Sequence, residues 1–179
     1  NPVVPVRTTM AATAALKREG LVRHVGVSNF SLERWREAER AMLGPVISNQ
    51  VRYSLVDRAA EDDLLPWAQA HDRIVIAYSP LGQGVLSGRY DEDHPPTGIR
   101  ASSATFLPEN LRRVAPLLGA LRDVAAAHGV TSAQVALAWL IARPNVIVIP
   151  GASSVEQAES NAQASDIELS PEEDRALTD

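Results

Sequence analysis

Apolar positions along this chain switch repeatedly between helical and strand spacing. Residues 7–19 form an Ala-rich stretch with a weak apolar stripe, and Gly20 can take the left-handed conformation that ends a helix. Residues 21–27, Leu-Val-Arg-His-Val-Gly-Val, are rich in β-branched residues and predict a first strand. Ser31 is placed to cap a second helix, in which Trp35, Ala38 and Met42 fall at i, i+3 and i+7 before Gly44-Pro45 stops it. Residues 46–51 predict a second strand. A third helix carries Leu64, Trp67, Ala68 and His71 on one face, with Pro66 in its first turn, where a missing N–H costs little. Residues 74–78 run Ile-Val-Ile-Ala-Tyr without alternation and predict a third strand buried on both faces. A loop then extends over residues 79–107, long enough to suggest a functional role. Leu111, Val114, Leu118, Leu121 and Ala125 mark an amphipathic helix that Pro116 should kink or shorten. Thr131 and Gln134 form a capping box for a helix reaching about Ala142, and residues 145–149 predict a fourth strand. Ser153 or Ser154 caps the next helix, and Ser170-Pro171-Glu172-Glu173 opens a terminal one.

Helices between short apolar strands are βα units, which build a parallel sheet in an α/β domain. There is no hairpin signal and no internal repeat. Two architectures accommodate four such strands: a small doubly wound sheet, or half of an eight-stranded (β/α)8 barrel of TIM type. In both, chemistry lies beyond the C-terminal ends of the strands.

The residues at those ends are polar or small. Ser28 and Asn29 follow the first strand, Gln50 ends the second, and Tyr78 to Gly84 follow the third. The amides of Asn29 and Gln50 complement a ligand carboxamide, and Tyr78 offers a ring for stacking. Beyond the fourth strand, a Gly151 turn leads into a helix start bearing Ser153 and Ser154, with Gln157 and Asn161 on the following turns. Unpaired N–H groups and the positive dipole end make such a place an anion site. Ser-Asn pairs and tandem serines also serve as plain turn and capping residues, and from spacing alone both readings stand. The Gly82-x-Gly84 pair lacks the context of a dinucleotide fingerprint.

Composition removes several other possibilities. The formal net charge of −5, without a block of Lys or Arg, argues against nucleic-acid binding. Apolar residues at 45% exclude a disordered tail, and no run approaches the ~20 residues of a membrane span. Cysteine is absent, so there is neither a disulfide framework nor a thiolate metal site, and a cytoplasmic location is the expectation. His24, His71, His94 and His128 have no metal-ligand spacing. His24 is expected to pack mid-strand, His71 and His128 to sit at helix C-termini, and His94 in a solvated loop. Glu61-Asp62-Asp63 should favour a helix start, and Asp91-Glu92-Asp93 a solvated loop. Trp35, Trp67 and Trp139 read as core. No complete acid–base apparatus is present.

Taken together, the segments are more specific than any one alone. Glu19-Gly20-Leu21-Val22-Arg23-His24-Val25-Gly26-Val27-Ser28-Asn29-Phe30 closely resembles a stretch of the aldo/keto reductases. Asn49-Gln50, then Tyr78-Ser79-Pro80-Leu81-Gly82-x-Gly84-x-Leu86, then Ala133-Gln134-x-Ala136-Leu137-x-Trp139, then Ile149-Pro150-Gly151-Ala152-Ser153-Ser154-x-Glu156-Gln157 follow in that family's order. The resemblance covers essentially all 179 residues, as one partial aldo/keto reductase domain. It implies the C-terminal half of an eight-stranded barrel that binds NADP(H) without a Rossmann motif. By that resemblance Ser28, Asn29 and Gln50 hold the nicotinamide carboxamide, and Tyr78 stacks on the nicotinamide ring. Ser79, Leu81, Gln83 and Gly84 lie along the pyrophosphate. Gly151, Ser153, Gln157 and Asn161 hold the adenosine ribose phosphate. Many relatives carry Lys or Arg in that last segment; this chain does not, which implies a modest preference for NADP over NAD.

The family's catalytic Asp, Tyr, Lys and His come from the other half of the barrel, so no residue here is expected to be catalytic and none to bind metal. Tyr53, Tyr78 and Tyr90 do not match the catalytic tyrosine's motif. The opening Asn1-Pro2-Val3 matches a point just after the family's catalytic His, and the chain reads as a fragment, inactive alone. The implied activity is reduction of an aldehyde or ketone, with a small carbonyl compound as substrate. The alternative is a non-catalytic nucleotide-binding subunit, as the potassium-channel β-subunits of this superfamily partly are, or an inactive remnant. Neither nucleic acid nor membrane is an expected partner, and oligomeric state cannot be read from the residues.

Overall fold

The structure, a computed structural model, describes residues 4–91 and 93–178, without the side chains of Ile99 and Arg100. Asn1-Pro2-Val3 and Glu92 of the acidic run lie outside the described residues. Four strands form one sheet: β1 (Gly26–Ser28), β2 (Ser48–Arg52), β3 (Ile74–Tyr78) and β4 (Val146–Ile149). The spatial order is the sequence order, and every pairing is parallel. A doubly wound sheet reverses its strand order at a switch point; this one does not, so its architecture is that of a (β/α)8 barrel wall.

Between and after the strands run α1 (Val6–Arg18), α2 (Leu32–Met42), α3 (Leu64–Ala70), α4 (Pro108–His128), α5 (Ser132–Ile141), α6 (Val155–Gln163) and α7 (Pro171–Thr178). Their termini follow local rules. Ser31 accepts from the Arg34 N–H, and Thr131 with Gln134 completes the capping box. Ser170 and Glu173 satisfy each other's N–H groups in the same way at α7. On α1, Val6, Met10 and Ala14 form the buried stripe. No single helix among the described residues is long and apolar enough to cross a membrane.

The sheet has two unlike faces. Register places Asn49 beside Val75 and Val75 beside Val146, and all three are buried. Val51 and Ala77 continue that face, which shares one core with Trp35, Trp67, Val135 and Trp139. On the other face Ile74 and Ile76 are half-buried, while Ile147 and Ile149 are 49% and 44% exposed. The expectation that β3 is buried on both faces is therefore corrected. The uninterrupted apolar sequence serves a helix layer on one side and the open concave side on the other.

Other differences are local. The first strand is not residues 21–27 but Gly26–Ser28, because polar Arg23 and His24 lie in an exposed turn and pairing begins only where Gly26 meets Ser48. His24 is thus exposed rather than packed in a strand. Gly26 suits that close approach: a Cβ there would crowd the Ser48 hydroxyl and lie 3.3 Å from the Ser48 carbonyl oxygen. Pro116 neither ends nor shortens α4, which starts at Pro108 and runs 21 residues through it. Leu43, in the left-handed conformation, caps α2 ahead of Gly44. Residues 79–107 are not featureless but hold short 3-10 turns at Gly82–Ser87, Gly98–Ser102 and Ala104–Phe106.

Glu61 does not act as a helix-opening charge. It accepts the Tyr53 hydroxyl at 2.9 Å and a bidentate pair from Arg58. Arg58 also reaches the Thr178 carbonyl, and Trp139 donates to the Thr178 hydroxyl, so the network ties α7 to the strand-end layer. Burial pushes the Glu61 carboxyl up, but the hydrogen bonds from Arg58 and Tyr53 outweigh it and hold the group below its ordinary range. A depressed carboxyl stabilises the fold above its unfolded pKa of about 4.3, and that contribution is lost as pH falls from there through its lower folded value. Glu61→Gln should cost about 1–2 kcal/mol at neutral pH and less near pH 3, read by urea unfolding at both pH values. A constant cost across pH would contradict the ionised network. The open concave face also predicts that this 179-residue chain self-associates in sedimentation velocity, and that Ile147→Thr with Ile149→Thr reduces it.

Candidate functional site

Parallel pairing brings four strand ends to one edge, and the side chains there are linked. The Gln50 carbonyl accepts the Asn29 N–H at 2.8 Å and the Ser28 hydroxyl at 3.0 Å. Asn29 donates through Nδ2 to Ser28 Oγ at 3.2 Å and accepts the Tyr78 hydroxyl on Oδ1 at 3.0 Å. Ser28, Asn29 and Tyr78, from the ends of β1 and β3, thus form one chain of hydrogen bonds across the end of β2. The Gln50 amide lies on the concave face between them and bonds to no described residue.

This arrangement rests on backbone that most residues avoid. Asn29, Ser79 and Gln83 all have positive φ, at 56°, 50° and 60°. Gly82 is confined as well as left-handed, since a Cβ would meet Val56 at 2.8 Å and Val85 at 2.9 Å. Such strain persists where surroundings over-determine it. At Asn29 the support is Asn49, fully buried one residue before Gln50. Its Oδ1 accepts the Phe30 N–H at 3.3 Å and its Nδ2 donates to the Phe30 carbonyl at 2.7 Å. The two amides of the Asn49-Gln50 pair therefore do different work. One is a buried clamp on the turn after β1, and its neighbour faces outward because side chains alternate along a strand. Period-two alternation was the signal that could have separated them in the sequence.

Leu81 packs against the core rather than presenting a polar group, and Gln83 accepts the Ser103 hydroxyl at 3.0 Å. Gly84, at φ 107°, faces the Tyr90 ring. After β4, Ser154 and not Ser153 is the N-cap of α6, accepting the Gln157 N–H. Ser153 donates both its N–H and its hydroxyl to Gln157 Oε1, at 2.8 and 3.0 Å. Asn161 bonds back to the Gly151 carbonyl at 3.4 Å. Ser153 with Gln157 and Gly151 with Asn161 thus form two bonded pairs at an open helix start. Glu156 also lies there: a bond from its own N–H and one from Ser154 hold its carboxyl below the ordinary range. The segment carries a fixed negative charge and no cation.

Tyr53 is no proton donor for this edge. Burial and the bond to Glu61 push its hydroxyl well above the usual tyrosine value. Among the described residues no three His, Asp or Glu side chains are grouped as a metal ion would require. A groove of about 530 Å³ opens beside Ser79 and Gln83, lined also by Arg52 and Arg113. The sequence carries no signal that pairs those two arginines, because they lie 61 positions apart and neither sits in a motif.

The whole chain, residues 1–179, matches the sequence profile of the aldo/keto reductase family. An uncharacterized oxidoreductase of Mycobacterium tuberculosis is 52% identical over 179 residues, which are 100% of this chain and 55% of that protein. The NADH-specific methylglyoxal reductase of Escherichia coli is 35% identical over 93% of this chain and 51% of its own length. The crystal structure of an aldo/keto reductase from Klebsiella pneumoniae in complex with NADP and acetate superposes with a TM-score of 0.74 at 35% identity, covering 98% of this chain and 54% of that one. The chain spans about half the length of the curated relatives it matches.

Removing the Asn49 amide leaves the Phe30 N–H and carbonyl without their partner beside the core. Asn49→Ala is expected to lower stability by about 2–3 kcal/mol in chemical unfolding. A loss below about 0.5 kcal/mol would show that the turn after β1 holds its shape without the clamp.

Proposed function

The chain belongs to the aldo/keto reductase family, and on that premise we propose that it forms the dinucleotide-holding side of an NADP(H)-dependent oxidoreductase reducing small aldehydes or ketones to alcohols. The observation that carries this reading is the linked strand edge of Ser28, Asn29 and Tyr78 beside the uncommitted Gln50 amide. A carboxamide needs one acceptor and one donor partner. Gln50 offers both, and Asn29 retains one N–H and one lone pair after its bonds within the site. The Tyr78 ring, held at its hydroxyl, presents a fixed face for a planar ring system.

NADPH bound there would supply the hydride, from C4 of its nicotinamide, to the carbonyl carbon. The residues of this chain bind and orient. Ser28, Asn29 and Gln50 take the carboxamide and Tyr78 stacks. Ser79, Leu81, Gln83 and Gly84 border the pyrophosphate, and Gly151, Ser153, Gln157 and Asn161 take the adenosine end. The proton that completes an alcohol comes from none of these groups. Support for an enzyme acting on a small molecule lies in the family match.

The adenosine end favours weak discrimination between the two dinucleotides. Its donors are neutral, Ser153 is already engaged by Gln157, and ionised Glu156 repels a 2′-phosphate. One relative is named as NADH-specific and one structural neighbour holds NADP, so both cofactors occur among similar proteins.

Fluorescence titration of a protein containing the complete barrel tests the placement. Ser153→Ala should weaken NADPH about ten-fold and leave NADH nearly unchanged. Asn29→Ala should weaken both alike, since both carry the same carboxamide. Glu156→Gln should tighten NADPH a few-fold without changing NADH. Equal losses for the two cofactors in Ser153→Ala would remove the phosphate placement.

A further inference from the structure

The groove shares Ser79 and Gln83 with the pyrophosphate placement above, and the rest of its lining lies outside the residues assigned to the dinucleotide. Its walls come from the end of β2 and the residues after it, from the 79–85 turn, and from the first half of α4. No residue of β1, of β4 or of the segment 151–161 lines it. A dinucleotide spanning from Gln50 to Ser153 passes over the end of β3 toward β4, while this groove runs from β2 and β3 outward to α4. The two paths meet at Ser79 and Gln83 and then diverge.

What lines the groove is specific in charge. Arg52 is the last residue of β2, on the same face as Gln50 and in register with Tyr78. Arg113 projects from α4, exposed, and its guanidinium has no partner among the described residues. Among the described residues Asp57 is the one carboxylate lining the groove, and it meets Arg52 only at 3.8 Å. Two cations against one anion leave a net positive groove in a chain whose net charge is −5. The rest of the wall combines apolar side chains, Val56 and Leu117 among them, with neutral polar ones such as Thr105 and Asn110. Its volume of about 530 Å³ suits a small molecule, and guanidinium forks are the usual partners of carboxylates.

Resting on the reductase reading, we propose that this groove binds the acid group of the substrate, so that the enzyme prefers carbonyl compounds bearing a carboxylate. The carbonyl lies toward Tyr78 and Gln50. The carboxylate lies toward Arg113, and the apolar body rests between them.

Two aldehydes of similar shape separate the outcomes in a protein containing the complete barrel: 4-carboxybenzaldehyde and 4-methylbenzaldehyde. Arg113→Ala should raise KM for the first about five- to ten-fold, leaving the second and the NADPH dissociation constant unchanged, while Arg113→Lys recovers part of the loss. A weaker NADPH constant with equal effects on both aldehydes would assign Arg113 to the cofactor's phosphates and overturn the proposal. Unchanged values throughout would overturn it too. Calorimetric binding of terephthalate, with 4-methylbenzamide as the neutral control, reads the groove without turnover. Terephthalate binding that Arg113→Ala abolishes supports the proposal even where no reductase activity is seen. No terephthalate binding to the parent protein overturns the proposal and leaves the reductase reading standing.

Discussion

Unbroken parallel pairing from β1 to β4 is the constraint on which everything else in this molecule rests. Parallel strands need a crossover after each strand, and the crossovers here are helices that return the chain to the same end of the sheet. All four C-terminal ends therefore share one edge, and residues 49 positions apart in sequence, Asn29 and Tyr78, meet at 3.0 Å. Because register is shared across the sheet, alternation has one meaning throughout. Asn49, Val75 and Val146 belong to the core side; Gln50, Ile76 and Ile147 belong to the concave side.

That edge is held by buried polar groups rather than by charge. Asn49 bridges the Phe30 N–H and carbonyl from inside the core and so supports the left-handed Asn29 next to it. The Tyr53–Glu61–Arg58 network does comparable work one layer further out, fastening α7 across Trp139. Arg143 lies 4.2 Å over the Trp139 ring and Arg58 5.6 Å from it, so two cations lie against this indole. In the interior of a protein, amides and paired ions fix geometry because leaving any of them unpartnered is costly.

Charge instead distinguishes regions beyond the edge. The start of α6 combines neutral donors with ionised Glu156, a poor setting for a doubly charged phosphate. The groove along α4 has the opposite character, with Arg113 free and Arg52 only loosely countered. One strand-end platform thus adjoins two electrostatically different surfaces. Binding of a dinucleotide and of a second, acidic molecule can be tuned separately on them.

Much of this was legible in the residues, for a physical reason. Helix caps at Ser31, Thr131 and Ser170 act within a few residues, so local sequence determines them. The run of β-branched residues in β3 and the polar residues after each strand likewise announce a parallel sheet and where its ligands go. The order of the family's motifs named the barrel. What local sequence could not decide depends on distant partners. It could not tell that residues 21–25 lie outside β1, since Gly26 pairs only where Ser48 stands opposite. Nor could it tell that Pro116 is carried within α4, a helix whose buried side packs on the rest of the core. It left Asn49 and Gln50 as a matched pair until the sheet sent them to opposite faces. Only the tertiary structure brought Arg52 and Arg113 to one groove, because the strand and the helix that hold them meet nowhere in the sequence and only in the packed fold.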